Sequence, residues 1–223
     1  MKGENEFMTN IDLPSLEKEI VIRKITEEDL VEVAALSINS FGPEFSFNKE
    51  QLESQVKNFP EGQICIEYKG RVVGSCSSLI VNFKDYTHNH SYTALSDNGY
   101  IRNHNPEGLN LYGVEVSVHH DYRKLKIGRR LYNARKQVCK DLNLKSIIIG
   151  GRIPNYYKYS HLMSAQAYAE KVLKDEIYDP VMTFQKNNGF VLREIIPNYL
   201  PDDEASRGYA TSMEWINEDY TTE

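Results

Sequence analysis

The chain has 223 residues, of which 40% are hydrophobic and 26% charged, with a formal net charge of -6. That is enough apolar material for one medium domain or two small ones, and the acidic balance argues against non-specific binding of nucleic acid. No apolar run approaches the roughly 18 residues of a membrane span, and three cysteines without CxxC spacing (Cys65, Cys76, Cys139) fit a reducing compartment better than a disulfide scaffold.

Residues 1–18 are polar and aperiodic and read as a flexible arm. Their opening "MKGENEFMTN" lacks the apolar core of a signal peptide, so a soluble, cytoplasmic protein is expected. "IVIRKI" (Ile20–Ile25) reads as a first strand. Thr26 and Asp29 are spaced as a capping box, and Leu30, Val33, Ala34, Ser37 and Phe41 follow at helical spacing until Gly42-Pro43. A second helix is expected from Asn48 to Phe59. Alternation through Ile64 and Ile66, a turn at Lys69-Gly70 and a run from Val72 to Phe83 predict a hairpin. Residues 84–109 are polar and read as a long loop, a length usually functional or disordered.

"LNLYGVEVSV" (Leu109–Val118) is the next strand. Ile127, Leu131, Ala134, Val138 and Leu142 mark a helix by their 4, 3, 4, 4 spacing. "KSIIIGG" is a short, almost wholly apolar strand. Strand, helix and strand make a βαβ unit with parallel strands and a right-handed crossover. Residues 158–175 read as a helix with Leu162, Ala165, Tyr168, Ala169 and Val172 inward. Asp179 to Asn188 reads as another, stopped by Gly189. "FVLREIIPNYL" and "GYATSMEW" close the chain as strands. The fold class is α/β with a mixed sheet. A single domain over 19–217 is expected, with insertions at about 84–109 and 153–180 and a tail at 218–223.

Between strand and helix stands "HHDYRKLKIGRRLYNARK" (His119–Lys136), which carries Arg123, Lys124, Lys126, Arg129, Arg130, Arg135 and Lys136 around Gly128. The first backbone N–H groups of a helix have no partner within it, and the helix dipole adds about half a positive charge there. Gly128 lets a phosphate approach the backbone, and Arg123, Lys124, Lys126 and Arg129 add mobile charge. A diphosphate carried by a cofactor fits so short a basic run better than nucleic acid. A solvated basic helix face is the competing reading. GxxxxGK[ST] and GxGxxG are both absent.

"VSVHHDYRKLKIGRRL" resembles the acetyl-CoA signature of the GNAT N-acetyltransferase superfamily, Q/R-x-x-G-x-G/A ahead of a helix. Arg123 fills the first position and Gly128 the second glycine position. Lys126 stands where the first glycine is expected, and His120 where a proline is common. The element order from Ile20 to Trp215 agrees, "FQKNNGF" (Phe184–Phe190) is similar to the family's "FYxxxGF", and Asn155 matches an asparagine that often follows the fifth strand. "GGRIPNYYKY" and "DPVMTFQKNNGF" further resemble acetyltransferase domains found beside carbon–nitrogen hydrolases.

The resemblance implies a mixed sheet of six to seven strands flanked by helices, with the fourth and fifth strands splayed. It implies acetyl-CoA as cosubstrate. The pantetheine arm would lie on Val116, Ser117 and Val118, and the pyrophosphate on the amides of Arg123, Lys124, Leu125, Lys126, Ile127, Gly128 and Arg129. Asn155 and Gln185 join the coenzyme site. A primary amine, on a small molecule or a peptide, would attack the thioester directly in a ternary complex. Two proton-transfer groups of relatives are replaced: the tyrosine of "FYxxxGF" by Gln185, and a fifth-strand glutamate by Gly150. Glu115 is the substitute candidate base, Tyr156 and Tyr157 are candidate acids, and Tyr178 is another. Phe41, Glu44 and Phe45 of "SFGPEFSF", together with Tyr178, are candidate acceptor-site residues. The two inserts would cover the acceptor pocket or form a homodimer contact.

His119 and His120 are candidate bases or phosphate contacts, with a merely polar role the stronger reading. HxxxH and CxxC spacings are absent, so no metal is expected, and no partner among nucleic acids or membranes is expected. Cys139 lies mid-helix at the border of the apolar face and reads as a buried small side chain. A non-catalytic acyl-CoA-binding or regulatory module of the same fold stays open beside the transferase, as does a docking domain whose basic loop binds nothing.

Overall fold

The computed structural model describes residues 13–86 and 91–222. Seven strands form one sheet in the order β1 (Ile20–Lys24), β2 (Ile64–Tyr68), β3 (Arg71–Val81), β4 (Asn110–Val118), β5 (Ser146–Arg152), β7 (Ala210–Ile216) and β6 (Val191–Ile196). Among the described residues seven helices accompany them: α1 (Leu13–Glu19), α2 (Leu30–Phe41), α3 (Lys49–Asn58), α4 (Tyr92–Ser96), α5 (Ile127–Asp141), α6 (Ala165–Leu173) and α7 (Pro180–Asn187). The pairs β1–β2, β2–β3, β5–β7 and β6–β7 are antiparallel, and β4–β5 is parallel. The parallel ladder joins Asn110–Gly113 to Ser146–Ile149. β4 runs on to Val118 and β5 to Arg152 beyond it.

The chain divides into two compact units, Met1–Ser77 with Glu115–Ala134, and Ser78–Val114 with Arg135–Glu223. In the first unit the β2–β3 hairpin turns on Lys69 and Gly70, both at positive φ (51° and 76°), the backbone of a two-residue hairpin whose twist matches its strands. α2 buries Leu30, Val33, Leu36 and Ser37, and α3 starts at Asn48, whose side chain accepts from the Gln51 amide at 2.9 Å. The predicted capping box is present, with the Thr26 amide donating to Asp29 Oδ2 at 2.8 Å. Asp29 also receives both guanidinium nitrogens of Arg23, at 2.6 and 2.8 Å. The Arg23 hydrogen bonds hold the Asp29 carboxyl down at about 2.

A carboxylate whose folded pKa lies below its unfolded value stabilises above the unfolded pKa and loses that contribution as pH falls through the folded one. Each tenfold difference in proton affinity between the folded and unfolded chain is worth about 1.36 kcal/mol, and partial exposure reduces it. Stability is therefore expected to drop by roughly 1–2 kcal/mol between about pH 5 and pH 2 through Asp29 alone. Urea titrations of the wild type and Asp29→Asn across that range check it, because the variant should lack this part of the slope. Identical slopes would remove the Arg23–Asp29 pair from the account.

In the second unit, the described residues 91–109 of the loop expected over 84–109 are sewn down. The amide of Ile80 donates to His104 Nδ1 at 3.0 Å, Asn105 returns its amide to the Ile80 carbonyl at 2.9 Å, and α4 buries Leu95. The helix expected over 158–175 is shorter. Residues 156–158 form a 3-10 turn, α6 begins only at Ala165, and Leu162, predicted inward, is 68% exposed. Ala165, Tyr168, Ala169 and Val172 are buried as predicted. On α5 the inward stripe is Ile127, Leu131, Tyr132, Arg135 and Cys139, whereas Ala134 and Val138 are half-buried and Leu142 is exposed. α1 occupies part of the segment expected as an arm and buries Leu16. Residues 1–12 of that arm lie outside the described residues.

Among the described residues no helix is long and apolar enough to cross a membrane. The three cysteines are free and buried. Burial pushes the Cys65 and Cys139 thiols up to about 12, so neither supplies a thiolate at neutral pH.

Candidate functional site

The basic turn lies in the first unit. Gly74 on β3 sets its floor: a Cβ there would stand 2.6 Å from Ile127 Cγ2 and 3.2 Å from Leu131 Cδ1, so the start of α5 rests directly on the strand. The entrance is pinned by the His119 amide, which donates to the Val73 carbonyl at 3.0 Å. Between these anchors Lys124 and Lys126 adopt left-handed backbone, with φ of 65° and 61°. Lys126 is the residue aligned with the family's first glycine, and its positive φ shows why glycine suits that position. The first intrahelical bond of α5 runs from the Arg130 amide to the Lys126 carbonyl at 3.1 Å. The amides of Ile127, Gly128 and Arg129 belong to the turn ahead of it, where an α-helix has no internal acceptor.

Of the run's seven cations, three are engaged elsewhere. Arg130 bonds Glu17 of α1 at 2.8 Å. Arg135 is 1% exposed and donates from Nε to Ser78 Oγ at 2.9 Å. Lys136 reaches the Asn188 carbonyl at 2.6 Å and lies over the Trp215 ring. Arg123, Lys124, Lys126 and Arg129 are exposed, and among the described residues none has a salt bridge. These are the four that the sequence assigns to a phosphate. Leu125 is half-buried and Ile127 buried, which leaves main-chain groups as what those two offer a ligand.

On β4, Ser117 is fully buried while Glu115, Val116 and Val118 are partly accessible. Glu115 accepts from Ser37 Oγ at 2.9 Å and from Ser117 Oγ at 2.7 Å. The sequence marks Ser37 only as a helix position and Ser117 only as a main-chain contact for the coenzyme, because a lone hydroxyl gives no periodic signal of its own. Phe41 and Phe45 are half-buried, and Glu44 is exposed. Burial, reinforced by His120, holds the His119 imidazole below its usual range, so it is neutral at pH 7. His119, His120 and Asp121 bring three ligand-type atoms within 4.8 Å. The Asp121 amide donates to His119 Nδ1 at 3.3 Å.

The second unit holds the other predicted residues. Asn155 donates from Nδ2 to the Tyr178 carbonyl at 3.1 Å and accepts from Lys158 at 2.9 Å. Tyr156 is 5% exposed and donates to the Met163 carbonyl at 3.1 Å; burial raises its phenol. Tyr157 and Tyr178 are exposed. Gln185 is 2% exposed and lies against Gly151, with no hydrogen-bond partner for Oε1 among the described residues.

Gly150, the position that the resemblance aligns with a glutamate of some family members, has a physical cause in this chain. A Cβ there would stand 2.3 Å from the Tyr199 hydroxyl and 2.7 Å from that of Tyr112. The two hydroxyls bond each other at 2.5 Å, and burial pushes both phenols well above the usual tyrosine range. Gly150→Ala is expected to cost about 2–3 kcal/mol by overpacking, measured by urea denaturation. A stability equal to wild type would show that the tyrosine pair yields freely.

A parallel β4–β5 pair with a left-handed, cation-bearing turn at the head of the helix that follows β4 defines the class. The chain belongs to the acetyltransferase (GNAT) family, whose model matches residues 30–158. It is 54% identical over 210 residues to the probable hydrolase YhcX of Bacillus subtilis (strain 168), spanning 94% of this chain and 41% of that protein. It therefore spans well under half of that relative. It is 40% identical over 202 residues to the uncharacterized N-acetyltransferase YkwB of the same organism, covering 89% of each. A solved structure described as the GphF GNAT-like decarboxylase in complex with isobutyryl-CoA superposes with a TM-score of 0.76 at 18% identity, over 88% of this chain and 98% of that one. At that identity the likeness shows the fold alone.

Proposed function

We propose that the chain is an N-acetyltransferase that moves an acetyl group from acetyl-CoA to a primary amine in a ternary complex. One observation carries the reading: two left-handed residues and the open first turn of α5 present main-chain amides beside four cations that have no ion pair among the described residues. A diphosphate satisfies those amides and cations together.

In this reading the main chain of Val116–Val118 carries the pantetheine arm, and an amide of that stretch holds the developing oxyanion. Glu115 takes a proton from the ammonium, directly or through water, which is typically worth about 10²–10⁴-fold. The freed nitrogen attacks the carbonyl carbon, the carbon–sulfur bond breaks, and the departing thiolate takes the second proton the nitrogen sheds. Tyr157 and Tyr178 are the remaining candidate relays for that proton, since the Tyr156 hydroxyl already has an acceptor. Asn155 and Gln185 stay with the coenzyme in this reading, and Phe41, Glu44, Phe45 and Tyr178 with the acceptor.

The replacement of both proton-transfer groups of relatives favours a second reading, an acyl-CoA-binding module without turnover. Gln185 is buried at the tyrosine position, and the Tyr112–Tyr199 pair stands over Gly150. A thiol-release assay with acetyl-CoA against a panel of amines separates the two. Release with at least one amine supports the transferase; tight coenzyme binding without release supports the module. Glu115→Gln is expected to lower turnover about 10²-fold or more while changing coenzyme affinity less than about twofold. Equal turnover across pH would remove Glu115 from the mechanism.

A further inference from the structure

We infer that Ser37 is a positioning residue that makes the orientation of Glu115 depend on the seating of the 42–47 loop. The inference rests on the reading of Glu115 as the base.

Ser37 sits in the middle of α2 and is fully buried. A mid-helix serine commonly turns to solvent or bonds its own helix. This one donates to Glu115 Oε2 at 2.9 Å and accepts the Phe47 amide at 3.3 Å. A hydroxyl has one proton to give and two lone pairs to receive. Its proton goes to the carboxylate, and a lone pair receives the loop. Ser117 donates to the other carboxylate oxygen at 2.7 Å and is equally buried. Two buried hydroxyls thus grip Oε1 and Oε2, which fixes the carboxylate's rotation.

The loop on the far side of Ser37 is short and bounded. It leaves α2 at Gly42, whose φ is 82°, and enters α3 at the Asn48 cap. It carries Glu44, Phe45 and the buried Phe47. When the loop is seated, the Phe47 amide orients the Ser37 hydroxyl so that its proton points to Glu115. When the loop lifts, Ser37 loses that partner and the carboxylate loses its fixed donor. An acceptor that packs against Phe41 and Phe45 therefore aligns the base as it binds, and an amine that leaves the loop unseated meets a carboxylate without the oriented Ser37 donor.

The test is a double-mutant cycle on turnover. Ser37→Ala is expected to lower kcat about 10-fold, with coenzyme A affinity unchanged within about twofold. In a Glu115→Gln background the same substitution should change kcat by less than about twofold, because residues acting as one unit are not additive. Should Ser37→Ala unfold, the isosteric pair Ser37→Thr and Ser37→Val carries the test: threonine keeps the hydroxyl and should retain turnover, whereas valine should lose it. An unchanged kcat in Ser37→Ala, or an equal loss with and without Glu115, overturns the inference alone. A wild type that binds coenzyme A and releases no thiol with any amine overturns the transferase reading, and this inference with it.

Discussion

Gly128→Asp is expected to weaken coenzyme A binding at least about 100-fold, equivalent to roughly 3 kcal/mol. Gly128 is the second residue of α5, inside the turn whose amides precede the first helical bond. An aspartate there places a carboxylate where the diphosphate would sit, so like charges meet in a site whose amides and cations serve only one anion. The substitution acts oppositely on the fold. A carboxylate in the first turn of a helix gains typically 0.3–1 kcal/mol from the helix dipole, and replacing glycine within a helix helps further. The variant should therefore melt at or above the wild-type temperature while failing to bind, which separates a binding defect from a folding one. Calorimetric titration with coenzyme A alongside a thermal melt reads both quantities. Unchanged affinity would show that the turn does not hold phosphate.

Asp179→Ala is expected to cost about 3–5 kcal/mol of stability. Asp179 is fully buried and caps α7. Its Oδ1 accepts the Val181 and Met182 amides, each at 3.0 Å. Its Oδ2 accepts the Tyr168 hydroxyl at 2.8 Å and the Asn155 amide at 3.2 Å. Alanine strips four donors of their acceptor at once. A lost cap alone costs about 0.5–2 kcal/mol, and each buried group left unsatisfied costs about 1–3 kcal/mol, less whatever water recovers. At about 2–4 °C per kcal/mol for a chain of this size the melting temperature should fall by roughly 10 °C. Asp179→Asn keeps one accepting oxygen and should lose about half as much. Urea denaturation measures both, and a loss below about 1 kcal/mol in the alanine variant would show that the 153–180 insert is not anchored there.

Much of the architecture is legible in the residues, because period and punctuation agree along most of the chain. β1, α2, α3, the Lys69-Gly70 hairpin, β4, α5, β5, α7 and β7 all fall within about two residues of where alternation, spacing and stop signals put them, and β6 starts where expected but ends at Ile196, four residues before the end of the stretch read as strand. What escapes is physical in each case. α1 and α4 span seven and five residues, too short for a periodic stripe to stand out. The inward face of α5 includes Arg135, whose long stem and Ser78 bond let a cation sit inside; a pattern that scores arginine as polar shifts the stripe to Ala134 and Leu142.

The site divides in the same way. The four exposed cations of the turn are readable because local charge and one glycine sit together in sequence. The left-handed backbone at Lys126 is not, since nothing in a lysine announces it. Ser37 is 78 residues from Glu115 and Tyr199 is 87 from Tyr112. Contacts of that separation are made by the fold and have no local signature.

The most direct measurement is a crystal structure of the chain grown with coenzyme A. The account predicts the diphosphate on the amides between Arg123 and Arg129, with the sulfur beside the end of β4 near Glu115. Coenzyme A bound elsewhere, or an empty turn in protein saturated with the ligand, would contradict it.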